Sequence, residues 1–334
     1  MTPETMTPEF FTIAAGSLSL KVTPFGASAV SLYHQGFDFS LLTELKANFY
    51  TRPQAHFGAI AGPIANRIAD DNLMLDGKPI HLDHNEGDLC LHGGTRGLGQ
   101  QYWNVTSHGD DEITFAITQP DGALGLPGHR VFQCQYRLSP EDSGGVLTVK
   151  LSMTTDQNTF CNLAFHPYFC LDDSGSILSH CLRLNAIGVL EKDGNNLPTG
   201  KMVACPHPML DFINTTSLSG LADPRSPVLD HYYGLPDQRD HAGVAVLSSA
   251  LSGLGMVVTT DQPGLQLYAP PTIDESLTTP DGDRFKPFPA LCIEAQKWPN
   301  APHHDDFPSI VVTPDQAYQN TTQFQFIPSY GQKY

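Results

Sequence analysis

Asn162-Leu163-Ala164-Phe165-His166-Pro167-Tyr168-Phe169-Cys170-Leu171 sets a single histidine inside a run that is largely apolar and aromatic. Strand alternation puts Asn162, Ala164 and His166 on one face and Leu163 and Phe165 on the other. Pro167 has no N–H and biases His166 toward extended backbone, so an ordinary central strand stops here. An imidazole at such a strand end either faces a cleft or is held by hydrogen bonds in the core, and this stretch alone leaves both readings open.

A second stretch, Ala290-Leu291-Cys292-Ile293-Glu294-Ala295-Gln296-Lys297-Trp298, also reads as a strand. Leu291, Ile293 and Ala295 face one way; Cys292, Glu294 and Gln296 face the other. A carboxylate in the centre of a strand is costly unless partnered, and burial raises its pKa toward the range useful to a general base. Together His166 and Glu294 form a candidate acid–base pair.

Working outward, short alternating runs recur at Ser17–Thr23, Ala29–Tyr33, Tyr102–Ser107, Glu112–Thr118, Val131–Leu138 and Val146–Thr154. The second half continues with Cys181–Ala186, Val244–Leu247, Met256–Thr260, Leu265–Ala269, Leu291–Ala295, Ile310–Val312 and Thr322–Phe326. Turns between them carry Pro-Phe-Gly at 24–26, Asp-Gly at 76–77 and 121–122, and Gly-Gly at 144–145. Leu73–Leu75 and Ile80–Leu82 flank Asp76-Gly77 as a hairpin. Helical periodicity is almost absent. The pattern predicts an all-β fold, a large antiparallel β-sandwich, with residues 1–334 as a single domain. The segments Phe39–His56, Asp172–Ser179, Lys192–Leu210 and Thr272–Phe288 read as long loops that rim a cleft.

Composition narrows the function classes. With Lys+Arg 18 against Asp+Glu 35 the net charge is −17, which repels nucleic acid and anionic membranes. Hydrophobic residues make up 40%, enough for an ample core, yet no apolar run reaches membrane-spanning length and no basic, apolar leader opens the chain. The seven cysteines are odd in number and scattered, with no C-x-x-C, as expected of reduced residues in a cytoplasmic protein. His81, His84 and the His303-His304-Asp305-Asp306 cluster are ligand types that read as loop residues rather than as a cupin-like metal site, so no metal is expected.

Four segments in order resemble the aldose 1-epimerase (galactose mutarotase) family. They are Phe57-Gly58-Ala59-Ile60-Ala61-Gly62-Pro63-Ile64-Ala65-Asn66-Arg67-Ile68 running to Leu91-His92-Gly93-Gly94; the 162–171 stretch; Asp230-His231-Tyr232-Tyr233 with Pro263-Gly264-Leu265-Gln266-Leu267-Tyr268; and Cys292–Ala301 followed by Phe307-Pro308-Ser309. The resemblance implies a galactose mutarotase-like supersandwich that interconverts α and β anomers of a free monosaccharide, such as galactose or glucose. It implies Glu294 as general base, His166 as general acid, and Asn66, Arg67, His92, Tyr168, Asp230 and Gln266 around the sugar. It implies no cofactor, and a protein that is a monomer or homodimer. Three positions depart from the family pattern. Pro63 stands where arginine is frequent, Cys170 where asparagine is expected, and Lys297-Trp298 where phenylalanine often precedes the proline; each bears on which sugar is taken. Competing readings are a relative acting on a ketohexose, pentose or hexose 6-phosphate, a hydrolase or lyase using Glu294 with Asp230, and a sugar-binding protein without catalysis. A phosphate reader would need cations at the cleft, for which Arg96, Arg130 and Lys297 are the candidates.

Overall fold

The opening stretch is shorter as a strand than its apolar character suggests. In the computed structural model, which describes residues 8–46, 49, 56–69, 73–141, 144–205, 207–237 and 243–328, only Ala164–Phe165 forms a ladder, antiparallel to Ile60–Ala61. Two further backbone bonds extend it past the ladder: His166 N–H donates to Ala59 O at 3.0 Å, and Gly58 N–H donates to His166 O at 2.9 Å. Gly58 is required for this clamp, since its φ is +65° and a Cβ there would lie 1.9 Å from Ala29 O.

Side-chain alternation along the stretch follows the expected faces. Leu163 and Phe165 enter the main core, where the Phe165 ring meets Tyr136 at 5.7 Å and Phe324 at 6.0 Å. On the other face Asn162 binds the Lys297 backbone through both its oxygen and its nitrogen, and Ala164 packs on Ala61 and Ala65.

Two antiparallel sheets supply most of that core. A nine-stranded sheet runs in the order Thr216–Ser217, His180–Leu184, Ala245–Ser249, Gly255–Thr260, Tyr318–Ile327, Gly144–Thr155, Arg130–Glu141, Glu112–Gln119, Asn104–His108. A five-stranded sheet runs Pro198–Val203, Gly188–Lys192, Asp230–Gly234, Gly264–Tyr268, Cys292–Gln296. The fold is therefore all-β, as the turn-rich alternation requires. Leu265, Leu267, Ile293 and Ala295 of the second sheet join Phe132, Leu138, Leu151 and Phe324 of the first in one buried cluster. A three-stranded sheet, Phe11–Ala15, Leu18–Thr23 and Ser28–His34, adds to it.

Several elements differ from the sequence expectation. Lys192–Leu210 is not a structureless loop: Pro198–Val203 pairs with Gly188–Lys192, and Pro208–Leu210 is a single 3-10 turn. Pro198–Val203 escapes the alternation rule because it is a largely exposed edge strand with no face to bury. The hairpin at Asp76-Gly77 forms, but its strands are Met74–Leu75 and Lys78–Pro79 rather than longer runs. Both turn residues have positive φ, as a two-residue hairpin loop demands.

Candidate functional site

The second face of the five-stranded sheet carries the site. Gln266 lies directly opposite Glu294, and Asp230 opposite Tyr268, so three adjacent strands present Asp230, Gln266 and Glu294 side by side. The clamped 162–171 segment brings His166 against this row, with its Nε2 3.4 Å from Glu294 Oε1. Asn66 and His92 come from the segments flanking the short Arg67–Ala69 and Leu89–Leu91 pair. Both adopt left-handed backbone, at φ 66° and 53°, and they bind each other: Asn66 N–H donates to His92 Nδ1 and His92 N–H to Asn66 O, each at 3.2 Å. With Nδ1 accepting, a neutral His92 carries its proton on Nε2.

A hydrogen-bond chain locks the polar wall. Asn66 Nδ2 donates to Gln266 Oε1 at 3.0 Å, Gln266 Nε2 donates to Asp230 Oδ1 at 2.6 Å, and Arg67 Nη1 donates to Asp230 Oδ2 at 3.3 Å. Asn66 Oδ1 in turn accepts from Arg67 N–H at 2.8 Å. Arg67 also forks onto Glu86, with Nε to Oε2 at 2.5 Å and Nη2 to Oε1 at 2.9 Å. Burial works against the Arg67 charge, but the Glu86 hydrogen bonds and the nearby carboxylates outweigh it and raise its pKa.

These groups line one cavity of about 250 Å³. All eight residues singled out in the sequence, Glu294, His166, Asn66, Arg67, His92, Tyr168, Asp230 and Gln266, are on its wall, together with His56, Glu86, Leu91 and Tyr268. The four additions carry weaker sequence signals. His56 ends the segment Phe39–His56 read from the sequence as a long loop, of which 47–48 and 50–55 lie outside the described residues; Glu86 sits in a turn, and Leu91 and Tyr268 fall inside quoted segments without a role of their own. Tyr168 stacks between His166 (5.1 Å) and Phe57 (4.0 Å).

The electrostatics of the pair follow from burial. Glu294 is 1% exposed, and desolvation, reinforced by Asp230, raises its pKa well above the ordinary value despite Arg67. No protein donor reaches Glu294 Oε2 among the described residues. Desolvation, with help from His56, lowers His166 to about 3, and it lowers His56 to about 4. His92 is pushed down in the same way. The cavity therefore favours neutral imidazoles beside an uncharged carboxyl.

Other candidates lie elsewhere. Arg130 is fully buried and bonded to the carbonyls of Gly128, Pro120 and Ala123, while Lys297 binds Ser309 O and lies over Tyr318. Neither they nor Arg96 line the cavity. His303 binds Ala69 O and His304 binds Pro198 O, so the paired histidines fasten a loop. The departures at Pro63, Cys170 and Trp298 are off the cavity wall as well: the Cys170 thiol donates to Asp172 O, and Trp298 packs on Phe307 and Tyr232.

Among the described residues two clusters have metal-ligand atoms within 4.8 Å of one another: His92, His166 and Glu294, and Cys170, Asp172 and His180. The second is already engaged, since Asp172 Oδ2 accepts from Ser179 and Ser249 and His180 Nε2 accepts from Leu171 N–H.

The supersandwich presents on one sheet face a buried Glu–His pair walled by amides, imidazoles and a guanidinium, an arrangement able to move protons on a small polyhydroxylated molecule. Comparison with known proteins agrees. The sequence pattern of the aldose 1-epimerase family matches residues 9–325. The galactose mutarotase of Rattus norvegicus is 33% identical over 282 residues, covering 83% of this chain and 80% of that protein. The aldose 1-epimerase of Escherichia coli K12 is 27% identical, covering 83% and 82%. The crystal structure of an aldose epimerase homologue from C. elegans superposes with a TM-score of 0.87 at 26% identity, over 96% of this chain and 98% of that one. The chain belongs to the aldose 1-epimerase family.

Proposed function

We propose that this enzyme is a mutarotase that equilibrates the α and β anomers of a neutral aldohexose, galactose or glucose, with Glu294 as base and His166 as acid. The observation that carries this reading is the 3.4 Å approach of His166 Nε2 to Glu294 Oε1 inside a small cavity. Anomerisation consumes no net proton. It takes one from the C1 hydroxyl and gives one to the ring oxygen, and the ring opens to the free aldehyde. Rotation about C1–C2 then exposes the other carbonyl face. On closure the ring hydroxyl returns its proton and the aldehyde oxygen is protonated, each group reversing its role.

The pair needs only one shared proton for this cycle. Burial rests that proton on Glu294, opposite to the assignment for ring opening, so transfer across the gap arms carboxylate and imidazolium. A sugar hydroxyl donating to the carboxylate stabilises the armed form, as hydrogen bonds to an ion do. Among the wall residues, His92 Nε2–H donates to a sugar oxygen, Asp230 and Gln266 read hydroxyls, and Tyr168 gives an aromatic surface. Asp230 has both oxygens engaged by Gln266 and Arg67, which disfavours the two-carboxylate hydrolase reading.

All seven cysteines are free, which supports a cytoplasmic setting, and no helix among the described residues is long and apolar enough to cross a membrane. The main core cluster, which runs from Ile13 to Phe326, supports treating 1–334 as one domain.

The test is proton NMR or polarimetry on freshly dissolved α-D-galactose and α-D-glucose. Wild type speeds equilibration, and Glu294→Gln loses roughly 10²–10⁴ of that rate. Wild-type silence on both sugars, and on fructose, arabinose and sugar phosphates, overturns the reading.

A further inference from the structure

We propose that Glu86 is a specificity-determining residue that restricts the cavity to uncharged sugars by occupying the Arg67 guanidinium that an anionic sugar would claim. The inference rests on the mutarotase reading and goes beyond it in naming what the site rejects. Among the described residues that line the cavity Arg67 is the only cation, beside three acids, Glu86, Asp230 and Glu294. Its planar fork is the type of group that grips carboxylates and phosphates. Here that fork is filled from within: Nε and Nη2 both go to Glu86, and Nη1 goes to Asp230.

Glu86 is held in place by its turn rather than by chance contact. Its backbone exchanges hydrogen bonds with Leu89 at 3.1–3.2 Å across Gly87, whose φ is +62°. Asn85 fastens the same turn through Leu91, accepting from its N–H at 2.7 Å and donating to its carbonyl at 3.0 Å. The strand that follows, Leu89–Leu91, pairs with Arg67–Ala69, so one two-stranded unit carries both partners of the fork. The Glu86 side chain is 39% exposed against 14% for Arg67, which places the carboxylate at the mouth and the guanidinium behind it. An incoming anion meets Glu86 first, and like charges at such range discriminate strongly between partners.

The experiment compares D-galacturonate with D-galactose, which differ only at C6, and glucose 6-phosphate with glucose, in wild type, Glu86→Gln and Glu86→Ala. The readout is the ratio of kcat/KM values on one protein sample, so a change in folded fraction cancels. Wild type is expected to favour each neutral sugar by at least ~10-fold, and the variants to shift both ratios toward the anion by at least ~10-fold. Salt gives an independent reading. Screening should raise wild-type activity on galacturonate, where repulsion is relieved, and lower it in the variants, where Arg67 attracts. A rise on one anion alone still supports the proposal and says which anionic group reaches Arg67. Ratios unchanged in both variants, or a salt dependence of the same sign in all three proteins, overturn it while leaving the mutarotase reading intact; failure of wild type on every neutral sugar overturns both.

Discussion

Adding one methyl group at Gly264 should cost this fold several kcal/mol through a single neighbour. Gly264 has ordinary strand backbone, so no φ penalty applies, but a Cβ built there falls 2.1 Å from Tyr232 Oη, 2.3 Å from Cζ and 2.6 Å from Cε1. The ring cannot yield cheaply: Tyr232 is 3% exposed and its hydroxyl donates to Gln296 O at 2.9 Å. Overpacking of this kind costs ~1–3 kcal/mol, and losing the buried hydrogen bond adds ~1–2 kcal/mol. Gly264→Ala should therefore destabilise by ~3–4 kcal/mol, a fall in Tm of roughly 4–6 °C for a chain this long. The assay is thermal unfolding of Gly264→Ala, Tyr232→Leu and the double variant. Tyr232→Leu removes the obstructing ring, so in that background the glycine substitution should cost less than ~1 kcal/mol. A melt of Gly264→Ala within ~2 °C of wild type, or an equal penalty in both backgrounds, refutes the reasoning.

Stability between pH 5 and 6.5 should depend on Glu294 in a direction its burial fixes. His166 and His231 are held down to about 3 and about 4, chiefly by desolvation. Each favours folding above the ordinary histidine value of 6.5, and that contribution is lost as pH falls toward the folded value. Glu294, raised by burial, has the opposite sign, since its contribution is fully present below the ordinary carboxylate value and is lost as pH rises through the folded one. Glu294→Gln removes the opposing effect, so urea unfolding should show a steeper acid loss in the variant, by up to ~1.4 kcal/mol per pH unit; equal slopes would count against a protonated Glu294. Because every proton in the proposed cycle moves through Glu294, His166 and the sugar itself, prolonged dialysis against a chelator should leave the anomerisation rate within about twofold. A larger loss, restored by a divalent ion, would point to the His92, His166 and Glu294 atoms as ligands.

The faces of the site strands are legible in the sequence because both alternate over a buried sheet. Leu163 with Phe165, and Leu291, Ile293 and Ala295, read as core and lie in the core. What is illegible has physical causes. Pro198–Val203 buries too little to show a period, and Asp230–Gly234 is buried on both faces and so does not alternate. His56 and Glu86 reach the cavity only because distant segments fold together. Glu86 meets Arg67 across 19 residues, and His56 lies 4.6 Å from His92 across a larger gap.

The register of one sheet joins stability to the proposed chemistry. Along Cys292–Gln296, Ile293 and Ala295 fill the core while Glu294 faces the cavity between them, and Gln266 on the next strand stands opposite Glu294. A slip of one residue would drive Glu294 into the apolar interior and turn Ile293 toward the sugar. Burying an unpartnered carboxyl there would cost several kcal/mol, as would exposing the aliphatic row, so hydrophobic burial alone rejects the slipped pairing. The same alternation that lets these strands pack also turns Glu294 toward the cavity, where the backbone clamp at Gly58 and Ala59 holds His166 to meet it.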